Sequence, residues 1–284
     1  MAILIAGCNI NRNNADAYGN FEAVEVLVSA ENSGRLVRFD VEEGDKLIKG
    51  QVVGTIDTIQ LSLKIDQLKA GLKSINARAA AMEAQIRSSE VQLNNTEREF
   101  DRILRLFDDG AATSKQRDDL EGKLRVIESQ IDAYKAQIQS ILSEKQNIEV
   151  QIEQVKEQII RSHISNPIEG VLLQKYKQAG ESVLPGQALY KIANLDHLIL
   201  RAYISGSQLS EVHLGDVVRV IIDAGEELTE LQGVITWISS EAEFTPKIIQ
   251  TREERVSLVY AMKVKVKNNG QLKIGMPGEV VFNN

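Results

Sequence analysis

Apolar residues recur along the middle of the chain in alternating steps of four and three positions. One run extends from Leu61 to Phe107, and a second extends from Leu120 to Ile159. An apolar repeat every 3.5 residues is typical of helices that pack along a shared seam as a coiled coil. Only the short segment Asp108–Ala112 and a few polar residues separate the runs, which is enough for a turn but not for a domain. The pattern therefore predicts one long antiparallel helical hairpin.

Three seam positions are not apolar: Ser89, Thr96 and Lys145. We expect Lys145 to set the register or to extend outward into solvent.

The segments on either side of this hairpin repeat each other at an offset of 136 residues (34 to 170, 56 to 192). The identities are Gly34, Gly44, Gly50, Gln51 and Ile56, which recur as Gly170, Gly180, Gly186, Gln187 and Ile192. Each copy has the pattern strand, turn, strand, with glycines where tight turns need them. The hairpin is therefore predicted to interrupt one β-sandwich made of two half-modules.

Such a pair of half-modules resembles the biotinyl/lipoyl carrier domain, in which a short turn between the halves carries a modified lysine. In this chain the first half runs directly into the helical hairpin, and Thr58 stands where a carrier would present its lysine. A carrier function is therefore rejected, because its one reactive residue is missing.

After the second half-module the chain has β character only. Short strands are predicted at residues 198–204, 217–222, 233–238, 258–266 and 279–282, and their turn-punctuated spacing favours a small barrel with Trp237 in its core. The fold class is thus predicted as α+β: a coiled-coil α-hairpin inserted in a split lipoyl-like β-sandwich, followed by a β-barrel. The predicted segments are a leader and tether (1–20), the first half-module (21–57), the hairpin (58–163), the second half-module (164–196) and the barrel (197–284).

Composition argues against several classes of function. The net charge of −7 is unfavourable for binding nucleic acid, which requires a basic face. There is no apolar run of about 18 residues that could span a membrane. There is also no phosphate-binding Gly-Lys-Ser/Thr loop, and the three histidines are scattered without neighbouring ligands. We therefore expect no enzyme activity and no cofactor.

The only cysteine, Cys8, follows Ile5-Ala6-Gly7, a short apolar run that ends in small residues. This resembles a bacterial lipobox, in which the cysteine is lipidated, and residues 9–20 would then form a flexible tether. The charged start and most of the apolar core of a signal peptide are missing, however. The alternative is that Cys8 is an incidental residue.

The order half-module, coiled-coil hairpin, half-module and barrel resembles the membrane fusion protein family, the HlyD-like periplasmic adaptors of bacterial efflux and secretion. The stretches that carry this resemblance are Gly180 to Gln187, Ala242 to Lys247 with Gln250 to Arg255, and Leu272 to Gly278. The middle one points to adaptors that partner ABC exporters. The resemblance implies a homo-hexamer that links an inner-membrane transporter to a TolC-like outer-membrane channel. It also implies a location in the periplasm of a Gram-negative bacterium, with a lipid at Cys8 as the inner-membrane anchor.

The same resemblance assigns the channel contact to the hairpin tip. The family often has Arg, Leu four residues later and Ser seven residues after that; here Arg102 and Leu106 match, and Thr113 takes the third place with Ser114 beside it. The alternatives are that Arg102 and Leu106 form a solvated helix end, and that Thr113 merely caps the second helix. For the whole chain, the rival interpretation is an envelope spacer or tether with no transport role.

Overall fold

The computed structural model describes residues 15–223, 228–244 and 258–282. It contains two long helices, α1 (Ile59–Asp108) and α2 (Ser114–Arg161), and one 3-10 turn (Gln208–Ser210). The strands before the helices are β1 (Ala17–Glu22), β2 (Glu25–Ser29), β3 (Gly34–Phe39), β4 (Lys46–Leu47) and β5 (Val52–Ile56). Those that follow are β6 (His163–Ser165), β7 (Gly170–Lys175), β8 (Ser182–Val183), β9 (Ala188–Ala193), β10 (His197–Ser205), β11 (Val217–Asp223), β12 (Leu228–Ile238), β13 (Glu243–Phe244), β14 (Leu258–Lys267) and β15 (Pro277–Val281).

The two helices form the predicted antiparallel hairpin. Every predicted seam position is buried or half-buried, whereas almost all residues between them are exposed. Ile75 and Ile131 keep only 2% and 4% of their surface exposed. An ion pair of 2.7 Å between Arg78 and Glu144 joins the helices across the seam. Lys145 is 37% exposed at its side chain and turns along its own helix towards Glu149, as a lysine that extends out of a seam does.

The half-modules fold into one sandwich of two four-stranded sheets with internal pseudo-two-fold symmetry. One sheet has the order β2-β9-β7-β4 and the other has the order β6-β5-β3-β8. Exchanging each strand for its partner in the repeat converts the first order into the second. Each sheet therefore takes two strands from each half, and neither half can close a sheet alone. The enclosed core contains Leu36, Ile56, Leu172 and Ile192.

The repeat extends to the turns. Gly44 and Gly180 have φ angles of +96° and +95°, and their N–H groups donate to the carbonyls of Leu172 and Leu36 respectively. Glycine is favoured at both positions because other residues rarely adopt positive φ. These equivalences explain why five identities recur at one constant offset in the sequence.

The last domain is a six-stranded closed barrel. Its strand order is β10-β1-β15-β11-β12-β14, and β14 pairs back with β10, while β13 extends the edge of β14. Phe21, Leu200, Val220 and Val264 lie in its core and are fully buried. The fold class predicted from the sequence is confirmed. Within the described residues, neither helix has an apolar stretch long enough to cross a membrane.

Two details differ from the sequence analysis. Residues 17–20 were assigned to a tether and 21–22 to the first half-module, but strand β1 pairs with β10 and β15 in the barrel. A Cβ at Gly19 would overlap the carbonyl oxygen of Arg201, so glycine permits this close pairing.

Trp237 was expected in the barrel core, but it is 40% exposed with Lys263 over its ring. The physical reason is a β-bulge between Ile235 and Trp237, which turns the indole outward.

Candidate functional site at the hairpin tip

Helix α1 ends in a tightly bonded turn that reverses the chain. Gly110, at φ +73°, donates its N–H to the carbonyl of Phe107 at 3.0 Å, and Ala111 donates to the carbonyl of Leu106 at 2.7 Å. This pair of bonds around a left-handed glycine is the Schellman motif, which satisfies the free carbonyls of a helix C-terminus. The turn therefore uses the backbone carbonyl of Leu106 but leaves its side chain free to contact a partner.

Helix α2 begins with a complete capping box. The Thr113 hydroxyl accepts from the backbone N–H of Gln116 at 3.3 Å, and the Gln116 side chain accepts from the backbone N–H of Thr113 at 2.8 Å. The Thr113 hydroxyl also donates to the Gln116 side chain at 3.0 Å. Both the donor and an acceptor position of this hydroxyl are thus used within the helix start.

A cation–π contact ties the two helices together just below the turn. The guanidinium of Arg117 lies 4.9 Å from the centroid of the Phe107 ring, and it also pairs with Asp118 at 2.8 Å. Phe107 is the last seam residue of α1, so the contact closes the seam at its end. Because both helix ends are capped, the backbone of the tip is well ordered and the helix ends do not fray.

The residues predicted to make the tip contact are all exposed. Arg102 is 65% exposed at its side chain and reaches Glu99 on its own helix at 3.4 Å. Leu106 is 39% exposed, and it lies one turn further along the same helix face, since residues four apart are neighbours there. Ser114 is exposed and opens α2. The fold therefore brings an exposed cation, an exposed apolar side chain and a hydroxyl to one end of the hairpin.

The opposite end of the hairpin, which we call the root, is where the chain leaves and re-enters the sandwich. There Asn32, in the β2–β3 loop, donates from Nδ2 to the carbonyl of Gln158 at 2.6 Å and to the hydroxyl of Ser162 at 2.9 Å. Ile56 donates its N–H to the carbonyl of Ser162 at 2.9 Å. Sequence reasoning missed Asn32, because a single polar residue in a loop carries no periodic or motif signal.

Two predicted features lie outside the described residues. These are Cys8, the predicted lipidation site, and residues 245–255, which contain most of the stretch that points to ABC exporters. Thr58, at the position of a carrier lysine, directly precedes α1.

Comparisons with known proteins agree with this architecture. No family model matches the chain. Among curated relatives, it is 27% identical over 295 residues to a UPF0194 membrane protein of Citrobacter koseri, covering 95% of this chain and 89% of that protein. It is 24% identical over 287 residues to a UPF0194 membrane protein of Acidithiobacillus ferridurans, covering 92% and 84% respectively.

Solved structures match along almost the whole chain. The crystal structure of MacA from Actinobacillus actinomycetemcomitans has a TM-score of 0.60 at 19% identity, covering 94% of this chain and 78% of MacA. The membrane fusion protein Spr0693 of Streptococcus pneumoniae R6 has a TM-score of 0.57 at 16% identity, covering 94% and 98% respectively. The chain has the membrane fusion protein fold. The interrupted sandwich joins the hairpin to the barrel, so the hairpin tip and the barrel are the two ends of the molecule.

Proposed function

We propose that this chain is a non-enzymatic periplasmic adaptor that links an inner-membrane transporter to an outer-membrane channel for efflux or secretion. The observation that carries the proposal is the uninterrupted hairpin, whose helices of 50 and 48 residues end in a fully capped, exposed tip. At 1.5 Å per residue, each helix extends roughly 75 Å. Such an arm can bridge much of a periplasm while its other end stays at a membrane.

The finer assignments rest on sequence resemblance. The stretch around residues 242–255 favours a transporter of the ABC type, and the tip pattern favours a TolC-like channel. We propose a homo-hexamer, because a ring of hairpins would form a conduit whose end is a circle of tips. The lipobox-like sequence before Cys8 favours anchoring to the inner membrane of a Gram-negative bacterium by a lipid at that residue.

At the tip we assign the partner contacts to Arg102, Leu106 and Ser114. The Thr113 hydroxyl is occupied within its capping box, whereas Ser114 has no side-chain hydrogen bond to any residue in the described part of the chain. A hydroxyl that is already bonded would have to break the cap before it could bond a channel. Thr113 therefore acts as the helix cap, and Ser114 supplies the hydroxyl for the partner.

The test is channel capture and export in cells that express the full chain with its transporter. The variant is Leu106→Asp, and Leu142→Asp is the matched control because Leu142 is 43% exposed on the hairpin shaft, close to the 39% of Leu106. Both replacements change helix propensity by only about 0.5 kcal/mol, so both hairpins should fold. We expect Leu106→Asp to abolish export and crosslinking to the channel, and Leu142→Asp to retain both.

The hydroxyl assignment is tested in the same assay. Ser114→Ala should weaken channel crosslinking without a change in thermal stability, whereas Thr113→Ala should lower helix stability by about 1 kcal/mol through loss of the cap. If Leu106→Asp leaves capture and export intact, the tip assignment is wrong. If deletion of the gene leaves export unchanged, the envelope spacer becomes the better interpretation.

A further inference from the structure

The barrel carries a cavity of about 730 Å³ that belongs to neither the hairpin nor the barrel core. Strands β1, β10, β11 and β15 supply most of its wall. Its position on the outer face follows from the alternation along β1, where Phe21 points into the core and Tyr18 is 57% exposed. A volume of this size suits a drug-sized molecule.

The strand register sets four side chains in one row across the cavity. Tyr18 is paired with Tyr203 on one side and with Glu279 on the other, and Glu279 is paired with Ile221. Directly paired residues on one face of a sheet lie about 5 Å apart. The row is therefore two aromatic rings, a carboxylate and an aliphatic side chain, over roughly 15 Å. Further lining comes from Val259, Pro277 and Leu228.

No basic side chain of the described residues neutralises Glu279. It forms neither an ion pair nor a side-chain hydrogen bond in that part of the chain. The nearby Arg201 is held by Glu243 through two hydrogen bonds of 2.9 Å, and Arg219 is paired with Glu230 at 3.3 Å. The cavity wall thus carries the carboxylates of Glu279 and Asp223 in mostly apolar surroundings. The ring of Tyr18 lies beside them, whereas the ring of Tyr203 already has the guanidinium of Arg201 6.0 Å from its centroid.

We propose that this cavity binds a hydrophobic organic cation. Aromatic faces attract cations through the ring quadrupole, and the attraction increases when the cation is removed from water. A carboxylate at the same site adds charge complementarity, while the aliphatic wall accommodates apolar substituents. A hydrophobic anion of the same size would face Glu279, while the guanidinium of Arg201 is already held by Glu243. The argument uses only the barrel and does not depend on the adaptor function.

The experiment is isothermal titration of the purified full chain with tetraphenylphosphonium and tetraphenylborate, which share one shape and carry opposite charges. We expect saturable binding of tetraphenylphosphonium with one site per chain, and at least tenfold weaker binding of tetraphenylborate. Glu279→Gln should weaken binding of the cation about tenfold, and Tyr18→Leu should weaken it severalfold, since leucine retains apolar bulk but lacks the ring.

The matched control is Glu22→Gln. Glu22 is an exposed carboxylate on the same strand as Tyr18 but does not line the cavity. The Glu22→Gln variant lowers the net negative charge by the same amount as Glu279→Gln. It therefore distinguishes binding at the cavity from general electrostatic attraction of the cation to a chain of charge −7. Unchanged far-UV circular dichroism would show that the variants are folded. Equal affinity for both ions, equal effects of the two Glu→Gln variants, or no saturable binding of the cation would overturn the proposal.

Discussion

Asn32 holds the root of the hairpin to the sandwich, beside an ion pair of 3.7 Å between Glu31 and Arg161, and removal of the Asn32 side chain should loosen the arm. Asn32 makes two hydrogen bonds to the last turn of α2, at 2.6 and 2.9 Å. Each such bond contributes about 0.5–1.5 kcal/mol net. Because Asn32 is half-exposed and water can replace part of the loss, we expect Asn32→Ala to lower the free energy of unfolding by about 1.5 kcal/mol.

Asn32→Asp should be more destabilising than Asn32→Ala, although it preserves the shape of the side chain. It would set a carboxylate oxygen against the carbonyl of Gln158, at a helix C-terminus that already carries partial negative charge. A suitable control is Asn269→Ala, since Asn269 lies in a barrel loop and its side chain has no hydrogen bond within the described residues.

Urea unfolding can follow the hairpin and the barrel separately. Circular dichroism at 222 nm reports the two helices, whereas Trp237, the only tryptophan, reports the barrel. With a slope of about 2 kcal/mol per molar urea, Asn32→Ala should lower the helical midpoint by about 0.5–1 M and leave the fluorescence midpoint in place. An unchanged helical midpoint, or a fluorescence midpoint that moves equally, would refute the local role of Asn32.

Three further changes test other parts of the fold. Lys145→Leu should stabilise the hairpin by about 1 kcal/mol in thermal unfolding, because it places an apolar side chain at a half-buried seam position. Gly44→Ala and Gly180→Ala should each destabilise by about 1–2 kcal/mol, and equally, because both positions have positive φ and open space around an added Cβ; unequal urea midpoints would contradict the pseudo-symmetry. Burial raises the pKa of Tyr190 above its usual value, so its neutral form stabilises the folded chain below about pH 10 and this contribution is lost at higher pH. Absorbance at 295 nm should show one tyrosine that ionises only as the sandwich unfolds.

The sequence predicts the parts of this fold that repeat. The hairpin was predictable because its seam has one period over nearly a hundred residues, and the sandwich because Gly44 and Gly180 occupy equivalent turns. Strand β1 was missed because only Ala17 and Phe21 point into the barrel core, and its partners are distant in sequence. Trp237 was misplaced because a bulge reverses the alternation locally.

Among the tip residues, sequence reasoning named Thr113 and Ser114 but left open which hydroxyl would serve a partner. Only the bonding around Gln116 distinguishes them, since adjacent residues share composition and spacing. The cavity beside Glu279 had no signal in the sequence, because its four central residues come from four strands that are brought together by barrel closure.

The hairpin also solves a folding problem for the sandwich that it interrupts. The half-modules must find each other across about 100 residues, and closing a flexible loop of that length costs about 3 kcal/mol more than closing a loop of a few residues. Helices that pair progressively from the tip would return the chain to its starting point and would place β5 beside β6, with Thr55 opposite His163 as in the folded chain. Assembly of the sandwich should therefore be limited by nucleation at the tip and be insensitive to the length of the arm. Evolution could then lengthen or shorten both helices in matched heptads, and so fit different spans, without changing how the sandwich folds.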